Sequence, residues 1–191
     1  MTNPNRASAP RSDQAGDLSH VRADGSAHMV DVTDKAITSR EATARAILRT
    51  RPDVIVRIAD GDLPKGEALG VARIAGILGA KRTPDLIPLC HPLPISGVEI
   101  DLDTREDRVE IIARVRTKGV TGVEMEALTA ASITALTVYD MIKAVDHLAS
   151  IEDVRVLAKS GGKSGDWTRE DARRADANPA QSTAATEEET R

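Results

Sequence analysis

The stretch Gly122–Leu148, GVEMEALTAASITALTVYDMIKAVDHL, is the longest regular pattern in the chain. Ala, Leu, Met, Glu and Lys dominate it, and no Pro or Gly follows Gly122. Apolar residues recur three and four apart through Leu128, Ala131, Ala135, Val138, Ile142 and Val145, which predicts one helix with a core-facing stripe. A turn of about 100° per residue gathers Glu126, Thr129, Thr137, Asp140, Lys143 and His147 on another side, with Ile133 and Leu136 among them. Burial costs an ionised group heavily unless it is paired. Asp140 and Lys143, one turn apart, are therefore expected either as a mutual ion pair or as part of a site.

The segments upstream supply a sheet for this helix. Thr38–Thr50 alternates Arg40, Ala42, Ala44, Ala46 and Leu48 against Glu41, Thr43, Arg45, Ile47 and Arg49, the period of a half-buried strand. Residues 52–59 suit a short helix closed by Asp60-Gly61. Residues 66–81 suit an amphipathic helix whose Gly70, Gly76 and Gly79 permit close packing against a neighbour. Pro84, Pro88, Pro92 and Pro94 follow so closely that a stiff extended connection is expected there. Residues 98–102 and 109–117 alternate as two strands around the hairpin loop TREDR, and residues 151–157 supply a last strand. A loop over residues 19–33 holds a turn at Asp24-Gly25 and a short extended piece over residues 28–32. The order strand, helix, strand, strand, helix, strand is that of a split βαβ unit. It predicts an α+β fold with a four-stranded antiparallel sheet and helices on one face. With no further helix for the other face, self-association is expected to cover it.

Length and composition bound the alternatives. The 191 residues with 40% apolar content suit one domain over residues 18–165, with a disordered N-terminal tail over 1–17 and a disordered acidic tail over 166–191. Residues 166–191 hold seven acidic side chains against four arginines. There is no Phe, one Trp and one Tyr, and the net charge is −4, which argues against a groove that stacks bases and neutralises phosphates; no nucleic-acid partner is expected. One cysteine excludes an internal disulfide framework, and with no apolar run of about 18 residues the chain reads as soluble and cytoplasmic, with no membrane partner.

Lys65, Lys81, Arg82, Lys143, Lys159 and Lys163 all fall at element ends or in loops, which would suit a polyphosphate ligand if the fold gathers them. The turn KSGGKSG at 159–165 is not a phosphate loop of the nucleotide-triphosphatase kind, because Leu157 stands where its first glycine belongs. It remains a glycine-rich turn with backbone N–H groups and two lysines for an anion. Cys90-His91 has neither the spacing of a nucleophile and base nor that of a zinc set, but His91, flanked by Pro88 and Pro92, is a rigidly held polar group suited to lining a pocket.

Taken together, MVDVTDKAITSREATARA, PKGEALGVARIAGILGAKRTPDLIPLCHPLPISGVEI, TGVEMEALTAASITALTVYDMIKAVD and VLAKSGGKSGD closely resemble the cyclic pyranopterin monophosphate synthase (MoaC) family of molybdenum cofactor biosynthesis, over about residues 18–166. The resemblance implies ferredoxin-like α+β subunits assembled as a homohexamer, a trimer of dimers, with sites between subunits. It implies a lyase that converts 3′,8-cyclo-7,8-dihydro-GTP to cyclic pyranopterin monophosphate and releases pyrophosphate. Carried over by position, Asp140 matches the catalytic acid or base, with Lys143 beside it. Leu89, Cys90, His91, Met125 and Glu126 match substrate-binding segments, and Lys65, Lys159 and Lys163 match positions suited to the phosphates. No resident cofactor or protein-held metal is implied, and Mg2+ enters only as a counter-ion of the triphosphate. Ile142 stands where many members have Cys, on the apolar side and so as packing. A nucleotide-sensing module or an oligomerising scaffold could share the architecture, but the first would not need the charged pair on the helix and the second would need neither the lysines nor His91.

Overall fold

The computed structural model describes residues 26–163 and 165–171. The chain divides into an N-terminal unit, Met1–Asp31, and a main unit, Val32–Arg191. In the first unit, residues 26–31 are described and form no helix or strand. The expected tail over 1–17 and the turn at Asp24-Gly25 lie outside the described residues, as do residues 172–191 of the expected acidic tail.

The main unit is α+β. Its elements are β1 (Thr38–Arg49), α1 (Pro52–Asp60), α2 (Ala68–Lys81), α3 (Thr83–Leu86), β2 (Ile95–Arg105), β3 (Arg108–Gly119), α4 (Glu124–Ile142), β4 (Ser150–Ser160) and β5 (Trp167–Thr168). The strands form one sheet in the order β2-β3-β1-β4-β5, and every pairing is antiparallel. The sheet thus has five strands rather than four. The fifth falls where the sequence suggested a disordered tail: Trp167 and Thr168 pair with Lys159 and Ala158, and the Arg169 guanidinium stacks 5.6 Å from the centre of the Trp167 ring. Two residues give no periodicity to read, so this strand is invisible to pattern analysis.

Alternation in β1 and β3 builds the core. Ala42 faces Val115, Ala44 faces Ala113, Ala46 faces Ile111 and Leu48 faces Val109, all of them buried. With alanines along the central strand, α4 settles close over β1, β3 and β4, and α2 lies beside it over β2. Gly76 and Gly79 fit the two helices together: a Cβ on Gly76 would stand 2.0 Å from Thr134 Oγ1 and 3.0 Å from the Ala130 carbonyl oxygen, and one on Gly79 would stand 2.9 Å from Ile133. Gly70 has a different duty, since its N–H is held by both oxygens of Glu67, the N-cap of α2.

Three expectations are corrected. First, the opening helix ends at Ile142 instead of Leu148. The N–H groups of Val145 and Asp146 both donate to the Ile142 carbonyl, and the Asp146 carboxylate, 4% exposed, accepts from Thr50 Oγ1 at 2.7 Å and from Leu148 N at 3.1 Å. A carboxylate in a last turn would face the negative end of the helix dipole; here the chain turns away and gives Asp146 donors instead. Second, the proline-rich connection contains the one-turn helix α3, in which Thr83 Oγ1 donates to the Ala80 carbonyl and Pro84 sits in the first turn, where no N–H is missed. Third, the uncovered sheet face is not apolar. Arg116 pairs with Glu99 and Glu41, Arg114 with Asp101 at 2.5 Å, and Arg45 and Arg155 with Asp153, which occupies a left-handed backbone position at φ 56° beside a bulge in β4. Such a face is at ease in water, so it gives no reason of its own for self-association. Several exposed large apolar side chains lie on the helix layer instead, among them Val71, Ile74 and Leu78 of α2 and Leu136 of α4.

Candidate active site

The candidate residues gather at the two ends of α4. Asp140 and Lys143 stand at its C-terminal end, and the chain just before α2 brings Lys65 to the same place. Asp140 Oδ1 accepts from Lys143 Nζ at 2.8 Å and Asp140 Oδ2 accepts from Lys65 Nζ at 2.5 Å. The hydrogen bond from Lys143, and then that from Lys65, pulls the Asp140 carboxyl down to about 2, while Asp140 raises Lys143 above its ordinary value. The three side chains are about half exposed, so the charges are not set within a buried helix side as the sequence suggested; they are open to an incoming ligand.

The N-terminal end of α4 is its electrostatic opposite. Glu126 is 3% exposed, and its carboxyl is pushed up by burial, with the neighbouring charge of Glu124 adding to the shift and its own backbone N–H opposing it. Cys90 lies close enough to feel that charge: burial first, then Glu126, pushes its thiol up. A thiol kept protonated is no nucleophile, which agrees with the reading from spacing. Leu89 is exposed and His91 half-buried in the irregular segment after α3, and Met125 is exposed beside Glu126 on the first turn of α4.

Lys159 reaches this same end. It pairs across the sheet with Ala42, so its side chain shares the helix-covered face, and its Nζ lies 3.2 Å from Glu124 Oε1. Glu124 is an ion-pair partner of Lys159 that the sequence reading passed over; an acid three residues into GVEME looks like dipole compensation until the sheet brings Lys159 to it. Lys163 is exposed in the glycine-rich turn. That turn is less open to an anion than its sequence suggests, because Asp166 Oδ1 accepts from Gly161 N at 3.0 Å and the Gly162 carbonyl accepts from Gly165 N at 3.2 Å. Gly161 is obligatory there: φ is 82° and a Cβ would stand 2.1 Å from the Ser39 carbonyl oxygen. Arg40, also passed over, donates to the carbonyls of Gly119 and Val120 at 3.0 and 3.2 Å and lies against Gly162, tying the lead into α4 to this turn. A shallow cavity of about 200 Å3 lined by Glu41, Thr43, Lys159, Asp166 and Trp167 opens here and does not reach Asp140.

Ile142, read from the sequence as packing, is fully buried in the core. Glu126 and Asp140 are separated by fourteen residues of helix, or about 21 Å along the axis.

Residues 29–162 match the MoaC family. The chain is 65% identical over 152 residues to the cyclic pyranopterin monophosphate synthase of Corynebacterium efficiens, covering 80% of this chain and 98% of that one. It is 63% identical over 152 residues to the synthase of the same name from Corynebacterium glutamicum, covering 80% and 97%. It is 57% identical over 164 residues to the cyclic pyranopterin monophosphate synthase 2 of Mycobacterium tuberculosis, covering 86% and 98%.

Proposed function

The chain belongs to the MoaC family, and from that premise we propose that it is a lyase of molybdenum cofactor biosynthesis acting as a cyclic pyranopterin monophosphate synthase. The substrate is 3′,8-cyclo-7,8-dihydro-GTP and the products are cyclic pyranopterin monophosphate and pyrophosphate. The reaction needs proton transfers that open and reclose the purine-derived rings, and it needs the triphosphate held while an oxygen of the same molecule attacks the innermost phosphorus and pyrophosphate leaves.

The observation that carries this reading is the Asp140 carboxylate fixed between two ammonium groups. Held ionised, Asp140 accepts a proton from the substrate, and Lys143, held charged, returns one. Lys65 and Lys143 are exposed enough to take phosphate oxygens when the ligand arrives. Glu126, whose burial favours its protonated form, is the second proton carrier; Met125, Leu89, Cys90 and His91 shape the pocket beside it. Lys159 and Lys163 supply charge toward the pyrophosphate. Mg2+ accompanies the triphosphate as its counter-ion, without a resident cofactor.

The 21 Å between the two groups exceeds what one small substrate bridges inside a subunit, which supports sites built between copies and hence the homohexamer, a trimer of dimers. The order β2-β3-β1-β4, with its split βαβ connections, supports a ferredoxin-like subunit to which β5 is an addition. The absence of any membrane-length apolar helix among the described residues is in keeping with action in the cytoplasm. Incubation with the cyclised GTP tests the activity: mass spectrometry should find one pyrophosphate per cyclic phosphate formed, and no pyrophosphate above a buffer control would overturn it.

A further inference from the structure

Residues 166–171 lie past residue 162, where the match to the family ends, and their contacts with the sheet fall within residues 156–161. Asp166 Oδ1 accepts from Gly161 N at 3.0 Å, Trp167 and Thr168 pair with Lys159 and Ala158, and Arg169 Nε donates to the Val156 carbonyl at 2.7 Å. The Arg169 guanidinium also lies over the Trp167 ring, and Thr168 Oγ1 accepts from Asp171 N at 3.1 Å, closing the turn that follows. The outer edge of β4 over residues 150–155 has no strand beside it among the described residues. A segment whose task was to cover an open sheet edge would run along all of it. This one is confined to the stretch that carries Lys159 and leads into the turn with Lys163.

That stretch is weakly held from the other side. Thr43 of β1 faces Ala158 but Ala44 faces Val156, so Leu157 is an extra residue and the ladder is interrupted two residues before Lys159. Just beyond Lys159 come Gly161 and Gly162, at φ 82° and 81°, with no side chains to restrain the turn. Lys159 therefore stands between a bulge and a glycine pair, on a flexible four-carbon stem of its own. We infer that residues 166–169 are a clasp, in which Asp166 and Trp167 are positioning residues that fix Lys159 and the Lys163 turn for the pyrophosphate end of the substrate. The inference rests on the proposed function in taking these two lysines as the ones that meet the phosphates.

The two residues act by different means. Trp167 is half-buried opposite Lys159 and walls the same shallow cavity, held in place by the guanidinium over its ring. Asp166 is at first sight misplaced, because a carboxylate beside two lysines repels the anion those lysines would draw. Its bond to the Gly161 N–H supplies the reason: it fixes the first glycine of the turn at the point where the chain leaves β4. Charge and clasp thus make opposite forecasts for this side chain. On charge alone, removing Asp166 strengthens phosphate binding; if it is a clasp, removing its acceptor oxygen weakens it.

Two measurements on the full chain test this: titration calorimetry with inorganic pyrophosphate, and steady-state turnover of the cyclised GTP. Asp166→Ala and Trp167→Ala should each raise the Kd for pyrophosphate and the KM by about tenfold, with kcat within about twofold of the wild type, since what is lost is binding rather than chemistry. Asp166→Asn keeps the acceptor oxygen without the charge and should bind pyrophosphate at least as tightly as the wild type. Trp167→Phe keeps a ring beneath Arg169 and should restore both constants to within about twofold. Equal pyrophosphate binding by Asp166→Ala and Asp166→Asn, no binding by the wild type, or a fall in kcat at unchanged KM in Trp167→Ala overturns the clasp even if the wild type releases pyrophosphate. A wild type silent toward cyclised GTP, with the calorimetric results as expected, would sink the function and leave the clasp standing.

Discussion

At its C-terminal end α4 holds Asp140 half-exposed between two ammonium groups, whereas at its N-terminal end it holds Glu126 out of water among Cys90, Glu124 and the first turn of the helix. Both are carboxyl groups on one helix, yet their surroundings push their proton affinities in opposite directions. Groups whose environments separate them in this way are suited to trade protons with a common substrate, one as a standing base and one as a carrier of hydrogen. Composition is not what distinguishes them; each end is defined by what other elements bring to it.

The contrast is broken most severely at Asp140. Asp140→Asn keeps the size and hydrogen-bonding capacity but removes the ionised base, and pyrophosphate release should fall by about 10²–10⁴ with little change in melting temperature. Retention of activity within about tenfold of the wild type would make the trio a surface ion-pair cluster and nothing more.

Glu126→Gln acts on the other end, and should lower the rate by roughly 10² if the group carries a proton. It also has a signature in stability. Burial raises this carboxyl above its ordinary 4.5, so folding favours the protonated form. That contribution is fully present below pH 4.5 and is lost as pH rises through the folded-state value. Gln escapes the loss, so the variant should melt above the wild type at pH 8, with the gap closing toward pH 4. Equal melting temperatures at both pH values would refute the desolvated state assigned to Glu126.

Asp146 sharpens the comparison by showing a third carboxylate, near Asp140 in sequence, that serves structure alone. Asp146→Ala should cost about 1–3 kcal/mol in chemical denaturation, because Thr50 Oγ1 loses its acceptor in a buried place. The hydrogen bond from Thr50 holds the Asp146 carboxyl below its usual value, so its stabilisation is present above about pH 4 and lost as pH falls through the folded value. The per-site rate of the folded variant should stay near that of the wild type; a rate loss as large as that of Asp140→Asn would place Asp146 in the chemistry.

The smallest effect is expected from Lys65→Met. Lys143 is the larger cause of the depressed Asp140 value, so the carboxyl should rise in an NMR titration yet stay below its ordinary 3.8. A return to 3.8 or above would show that Lys65, not Lys143, governs that end.

Much of the frame was legible in the chain. The alternation of Ala42, Ala44, Ala46 and Leu48 announced a strand with one buried face, and the spacing of Asp140 and Lys143 announced a pair. Local periodicity contains both facts. Lys65 is seventy-five residues from Asp140, and Lys159 is brought to Glu124 by the pairing of β4 with β1; no local pattern holds either contact. The state of Glu126 was equally hidden, since a Glu in a first helical turn is ordinarily a solvated partner of the dipole. The stop at Ile142 was missed because Asp146, which anchors the turn beyond it, has its partner in Thr50, ninety-six residues and six elements earlier in the chain.

The stacked ring at the sheet edge has an optical consequence. Trp167 is the sole tryptophan of the chain, there is no phenylalanine and one tyrosine, so excitation at long ultraviolet wavelengths lights a single place. That indole sits opposite Lys159, under the Arg169 guanidinium, beside the turn that carries Lys163. Its emission colour and quenching therefore report the attachment of the last strand without any added dye, and a substrate whose phosphates draw on Lys159 would announce its arrival as a change in fluorescence.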